Sequence, residues 1–406
     1  MNLSYFISKR ISKRQQEGFS SVIHTIAIAS IAIGLAASIV SFLIMKGFQE
    51  TIKNKIYSFS SHILVTKFSM NNSQEEQPMD LNIELYNNPS SFPSVEHVQE
   101  YAHKTALIKT ENEVYGFFIK GVSKRFDEQS FQQNMIEGRF ITFPDSGYSN
   151  DIVLSRIIAD KLQAKVGDEV VVHFFQNPPR FRKLKVSGIY ETNLSEYFDS
   201  RVVIGDLRLI QRLNDWPDSV AGGLEVFVKD PDLQESASVE IGEMMDYDLN
   251  VQPISERYFQ IFEWLNLLSR QVNILLVIIL IVVCVNMISI VLILVMERTQ
   301  MIGMLKALGA NNALVRSVFV YSGVSLVVKG LVIGNIIGLG ICFLQYQFKI
   351  IKLNPHDYYM SFVPISWNWE IVALLNVLMF VIVSVVLLVP TMIISRVNPI
   401  KAIKFD

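Results

Sequence analysis

Few residues in this 406-residue chain are spaced for covalent chemistry. A phosphate loop needs G-x-x-x-x-G-K-[ST], whose backbone amides cradle phosphate, and the pattern does not occur. G-x-S-x-G, which exposes a serine nucleophile on a tight turn, is also missing. So is H-E-x-x-H, which sets two imidazoles on one helical face for zinc. The six histidines are scattered, at 24, 62, 97, 103, 173 and 356. Only His97 and His103, with Glu96 and Glu100, approach metal-site density. They read more simply as a solvated helix face and a neighbouring strand. No catalytic residue, metal site or cofactor is expected in this chain.

The informative polar residues are those lodged in apolar surroundings. Lys329 lies near the middle of an apolar run, where a cation is costly and calls for a role or a partner. Asn286 and Asn335 lie in similar runs and could bond between helices. Gly330, Gly334 and Gly338 recur every four residues, a small-xxx-small stripe that lets another helix approach closely. The sharpest feature is residues 297–310, ERTQMIGMLKALGA. Met301, Met304, Leu305 and Leu308 have helical spacing and make one apolar face, and Gly309 can end the helix. Such a face suits a partner's groove, or it lies on lipid.

These residues are carried by an unusually apolar chain. Half of it is hydrophobic, yet 18% is charged, and the mean hydropathy is +0.32. Four runs are long enough for a bilayer of about 20 residues: 22–45, 270–296, 314–344 and 371–394. The first exceeds an h-region of about 7–15 residues and reads as a span rather than a cleaved signal, although Ala36-Ala37-Ser38 hints at a cleavage site. Residues 46–269 hold 33 acidic and 22 basic residues, so the basic excess surrounds the spans. That pattern argues against nucleic-acid binding. Basic residues in 1–21 (Lys9, Arg10, Lys13, Arg14), in 297–313 (Arg298, Lys306) and in the tail 395–406 (Arg396, Lys401, Lys404) place both termini in the cytoplasm. The 1–21 segment is either an amphipathic surface helix or a plain charged anchor. Residues 46–269 and the aromatic 345–370 connector then face outward.

The expected fold is a bundle of four transmembrane helices with a large α+β extracytoplasmic domain between the first and second. That domain holds neither Cys284 nor Cys342, so no disulfide staples it. Strands are expected at 61–66, 101–110, 114–122, 170–175, 181–190, 224–228 and 248–251. Helices are expected at 152–163 and 231–245, with a mobile loop at 69–91 and two lobes around a β-rich middle.

The 297–310 segment resembles the E-R-T-x-E-I-G-x-L-[RK]-A-L-G-A coupling element of the LolC/LolE, MacB and FtsX permease group. The opening Phe6 to Arg14, Met45-Lys46-Gly47-Phe48, residues 186–192 (VSGIYET) and Asn398-Pro399-Ile400 are similar to motifs of its lipoprotein-releasing branch, in order along the chain. The resemblance implies an inner-membrane permease of an ABC transporter, with a second permease protomer and a LolD-like ATPase dimer that binds the ATP and magnesium. It implies a lipoprotein drawn from the outer leaflet and handed to a LolA-like periplasmic carrier. Glu297, Arg298, Met301, Ile302, Met304, Leu305 and Leu308 would meet the ATPase. Met45 and Phe48 would line lipoprotein entry, and Asn177, Pro178, Pro179 and Arg180 would touch the carrier. Met301 replaces the family's acidic residue, and the 176–181 loop is short. Homodimer and heterodimer both remain open. The alternative is an FtsX- or MacB-type mechanotransmitter driving a cell-wall hydrolase or an efflux assembly.

Overall fold

The computed structural model describes residues 19–69, 75–109 and 114–392. Most of the expected N-terminal segment and the tail 395–406 lie outside the described residues. The chain divides into two compact units.

Helix α1, Phe19–Ser60, is 42 residues long, about 63 Å at 1.5 Å per residue. The apolar run predicts an end at Met45, but the helix continues for fifteen residues. Ile52, Ile56 and Phe59 explain this. They recur at helical spacing and are at most 3% exposed, so the polar stretch is amphipathic and buries one stripe. Ser61, at φ 64°, ends the helix.

The unit formed by residues 51–264 and 353–361 is built on a ten-stranded mixed sheet. In chain order its elements are β1 Ile63–Lys67, β2 Met79–Asp80, β3 Val95–Lys109, β4 Val114–Val122, β5 Met135–Gly138 and β6 Asp151–Ser155. Helix α2 Arg156–Leu162, β7 Glu169–Phe174, β8 Arg180–Tyr190, β9 Val202–Asp206 and α3 Leu207–Leu213 follow. The unit closes with β10 Val220–Ala221, β11 Gly223–Val228, α4 Gln234–Glu243 and β12 Leu249–Pro253. The main order is β12-β1-β11-β3-β4-β9-β6-β8-β5, with β7 bridging β3 and β8; β2 and β10 form a separate pair. The two strands expected to pair do so, with Tyr101 opposite Val122 and Lys109 opposite Val114. Three expectations fail, in whole or in part. Residues 152–155 are strand, not helix, because β6 pairs with β8 and β9, and Ser155 caps α2 only from there. There are not two lobes: fifteen-residue β3 is long enough to pair with β11, β4 and β7, which makes one sheet. The 69–91 stretch is not all loop either, since β2 and short helical turns at 84–87 and 89–91 lie within it.

The other unit lies within residues 1–50, 265–352 and 362–406, and its described residues are mostly helical. Its helices are α1, then α5 Phe259–Glu297, α6 Thr299–Ala307, α7 Asn312–Phe348 and α8 Trp369–Val386. α1, α5, α7 and a 23-residue stretch that begins with α8 are long and apolar enough to cross a membrane. Ala27, Ile31, Leu35, Ile39, Met287, Val327 and Val383 are among the core residues with no exposed surface. The side chains turned outward are also Ile, Leu and Val, as a lipid-facing bundle requires.

Candidate functional site

The segment between α5 and α7 is built by two interruptions. At Arg298 the backbone leaves helical geometry (φ −102°, ψ 16°), which separates α6 from α5. Gly309 stops α6 at φ 92°, a conformation glycine adopts freely. Amides of Gly309 and Ala310 then close onto the Lys306 and Leu305 carbonyls at 3.0 Å. Asn311 caps α7 by accepting from the Leu314 amide at 2.8 Å.

The apolar face read from spacing is divided in the folded chain. Ile302 is fully buried in the bundle, with Met301 and Leu305 packed beside it. Met304 is 61% exposed and Leu308 80%. Bundle packing claims Ile302, and this rotates Met304 and Leu308 outward. Glu297 is exposed and Arg298 half-buried. The Arg298 Nε is shielded and has no hydrogen-bond partner.

Met45 and Phe48 are half-buried on α1, one on either side of Lys46-Gly47. A Cβ on Gly47 would fall 2.6 Å from the Pro364 carbonyl oxygen, so the 364–366 segment crosses α1 there. The Ser366 amide donates to the Leu43 carbonyl at 3.2 Å. Gln49 donates to the Ser269 hydroxyl of α5 at 2.6 Å.

Gly330, Gly334 and Gly338 face α1. A Cβ added at each would lie 2.7 Å from Ile31 Cβ, 2.9 Å from the Ala32 oxygen and 3.0 Å from Ala36 Cα respectively. The contacts climb together along both helices, so α1 and α7 run parallel. Gly34 brings α5 close in the same way, with Val283 Cγ2 at 2.8 Å. Asn286 donates to the Ser30 hydroxyl at 2.9 Å. Asn335 and Asn376 exchange two hydrogen bonds, at 2.7 and 3.0 Å. Asn376 was not singled out from sequence, where one Asn in an apolar helix was the only signal. Lys329 points outward, and among the described residues nothing pairs with it.

The loop of the β7–β8 hairpin holds Asn177, Pro178 and Pro179. Arg180, at its end, does not project. Its guanidinium donates to the Arg212 and Leu213 carbonyls at 3.2 and 3.1 Å and pairs with Asp215 at 3.1 Å. It therefore caps α3. Phe175 and Phe181 flank the loop and are 59% and 62% exposed.

Glu96, His97, Glu100 and His103 all lie on β3, not partly on a helix. His103 Nδ1 pairs with Glu76 at 2.6 Å, and His97 meets the Arg125 carbonyl at 2.8 Å. Burial pushes the Glu76 carboxyl up, but His103 more than offsets this and holds it below the usual range. Among the described residues no cluster of three or more His, Cys, Asp or Glu could hold a metal. His62 accepts from the Val228 amide at 2.9 Å, and burial lowers its pKa to about 4.

One further group escaped sequence reading. Lys120 and Glu225 are each 2% exposed and paired at 2.6 Å in the sheet interior. The only sequence signal was a single lysine inside the strand GFFIKGV.

Comparison with known proteins gives the family. Residues 25–244 match the MacB-like periplasmic core domain, and residues 273–399 match the FtsX-like permease C-terminal domain. The lipoprotein-releasing system transmembrane protein LolC of Neisseria meningitidis serogroup B is 24% identical, covering 97% of this chain and 96% of that protein. LolE of Haemophilus influenzae is 25% identical, covering 95% and 94%. The crystal structure of the periplasmic region of MacB from Actinobacillus actinomycetemcomitans covers 53% of this chain and 98% of that one, at 13% identity and a TM-score of 0.35, too distant to build on. With both family models matched in order and relatives aligned almost end to end, the chain belongs to the LolC/LolE and MacB-like permease group.

Proposed function

We propose that this chain is the permease subunit of an ABC transporter that extracts lipoproteins from the outer leaflet of the inner membrane and passes them to a periplasmic carrier. The near end-to-end alignment with lipoprotein-releasing transmembrane proteins carries this reading. In it, both termini and α6 lie in the cytoplasm, and the sheet domain stands outside between the first two spans. A separate LolD-like ATPase dimer binds ATP and magnesium and docks on α6. Met304 and Leu308 are the groups that enter its groove, because they alone on the apolar face are free of the bundle. Burying two such side chains is worth about 1.5–3 kcal/mol each. Ile302 supports α6 from behind rather than touching the ATPase.

A second permease protomer, the same chain or a relative, completes the transporter. Met45 and Phe48 line lipoprotein entry. The carrier meets the hairpin at Asn177, Pro178 and Pro179, with Phe175 and Phe181 as its apolar contacts. Arg180 holds that loop in place.

The test uses the full chain in proteoliposomes with its ATPase, a lipoprotein and a carrier. Met304→Asp with Leu308→Asp should abolish ATPase retention and lipoprotein release while the permease still folds. In cells, depletion should leave lipoproteins in the inner membrane. Normal lipoprotein sorting after depletion would refute the substrate assignment.

A further inference from the structure

The end of α1 is part of the interior of the sheet domain. The Phe59 ring stacks on Phe198 at 4.2 Å and lies 5.7 Å from Tyr190. Ser58 accepts from Asn134 at 3.0 Å. Apolar packing of this kind buries one stripe of α1 and resists withdrawal, but its contacts are non-directional, and small axial slides are opposed only by overlap.

Lys120 supplies what packing lacks. Its Nζ donates to the Phe59 carbonyl, one of the last-turn carbonyls that a helix leaves without an internal partner. The same nitrogen donates to Glu225 Oε1 at 2.6 Å and lies 5.1 Å from the Phe59 ring centre. Glu225 Oε2 accepts from Gln99 at 2.7 Å, and Gln99 accepts from the Asp127 amide at 2.9 Å. Three strands thus hold one cation against one carbonyl. The lysine charge also meets the negative end of the helix dipole.

A buried ion pair contributes little to stability compared with apolar side chains of the same volume; its best-attested use is to select one register. Moving α1 by one residue shifts the carbonyl about 1.5 Å along the axis and about 100° around it, out of reach of a fixed ammonium.

We propose that Lys120, backed by Glu225 and Gln99, is the register pin of α1: a positioning residue that makes any displacement of this membrane helix move the sheet domain with it. The coupling part of this inference rests on the transporter reading above; the pin itself does not.

The experiment uses the full chain in nanodiscs with its ATPase. Spin labels sit at Asn54→Cys on α1 and Asp160→Cys on α2, with Cys284→Ser and Cys342→Ala removing the native thiols. The test variant is Lys120→Met/Glu225→Met, which deletes the pair and keeps the volume. The expected result is an unchanged ATPase rate, a distance distribution wider by about 1.5 Å or more, and about tenfold less lipoprotein released per ATP. An unchanged distribution overturns the pin. A widened distribution with undiminished release overturns the coupling. If the double variant does not fold, Lys120→Met/Glu225→Gln decides: it removes the donor to the Phe59 carbonyl while residue 225 can still bond Gln99, so its distribution must broaden, and an unchanged one overturns the pin. If the unaltered chain releases no lipoprotein, the transporter reading fails while the distance measurement still tests the pin.

Discussion

Gly330→Ala should destabilise the bundle by an amount that the α1–α7 contact fixes. The new Cβ would sit 2.7 Å from Ile31 Cβ and 2.8 Å from Ile31 Cγ2. Carbon pairs rest at about 3.5–4.0 Å, so about 0.8 Å of overlap or more must be relieved. Ile31 is fully buried, and rotation cannot move its Cβ, so the helices themselves must part. Overpacking of this severity costs about 3 kcal/mol, the upper end of the usual range. Replacing glycine inside a helix returns up to about 1 kcal/mol. The net loss expected is about 2 kcal/mol. At Gly338 the nearest approach is 3.0 Å to Ala36 Cα, followed by 3.3 Å contacts that a small shift relieves. There the two effects come close to cancelling, with about 1 kcal/mol on each side. Gly334→Ala should fall between them. The assay is reversible unfolding of the full chain in micelles, followed by tryptophan fluorescence. Ile31→Ala removes the Cγ2 contact but keeps the Cβ, so in the Gly330→Ala background it should recover part of the loss, with a coupling of at least about 0.5 kcal/mol. Equal losses at all three glycines, or the largest loss at Gly338, would refute parallel close packing as the reason for the stripe.

His62 makes the sheet domain acid-sensitive. Its folded pKa is depressed to about 4 by burial, while the unfolded side chain titrates near 6.5. The unfolded state therefore binds more protons between these values, so stability is intact above pH 6.5 and falls as pH drops towards 4, by about 3 kcal/mol in all. His62→Gln keeps an acceptor for the Val228 amide and should flatten the pH dependence of unfolding; a slope that persists would assign it elsewhere. The Asn335–Asn376 pair should give a double-mutant coupling of about 0.6 kcal/mol with leucine at both sites. Zero coupling would mean that each amide finds another partner in the bundle.

The four spans were legible because a bilayer writes its requirement into about twenty consecutive side chains. The continuation of α1 was hidden because Ile52 and Ile56 are separated by Lys53, Asn54 and Lys55, and with Phe59 they show only as a helical stripe. β6 was misread because Ile157, Ile158 and Leu162 do share helical spacing and the reading was carried back to Ile152; only pairing with distant β8 makes 152–155 extended. One sheet instead of two lobes depends on the length of β3, a tertiary fact. At the candidate docking segment, spacing located α6 and its stop at Gly309. It did not show that the bundle would take Ile302 and leave Met304 and Leu308 outside. Lys120 meets residues 61 and 105 positions away, beyond the range of any local pattern.

The glycine contacts on α1 have a consequence for traffic through the bilayer. At Gly330, Gly334 and Gly338 the backbone of α7 all but touches α1, and at Gly34 the flank towards α5 is sealed by Val283 and Ile279. Neither seam leaves a gap as wide as a hydrocarbon tail. On the proposed transporter reading, an acyl chain bound for Met45 and Phe48 would pass along the outside of the bundle rather than through either seam.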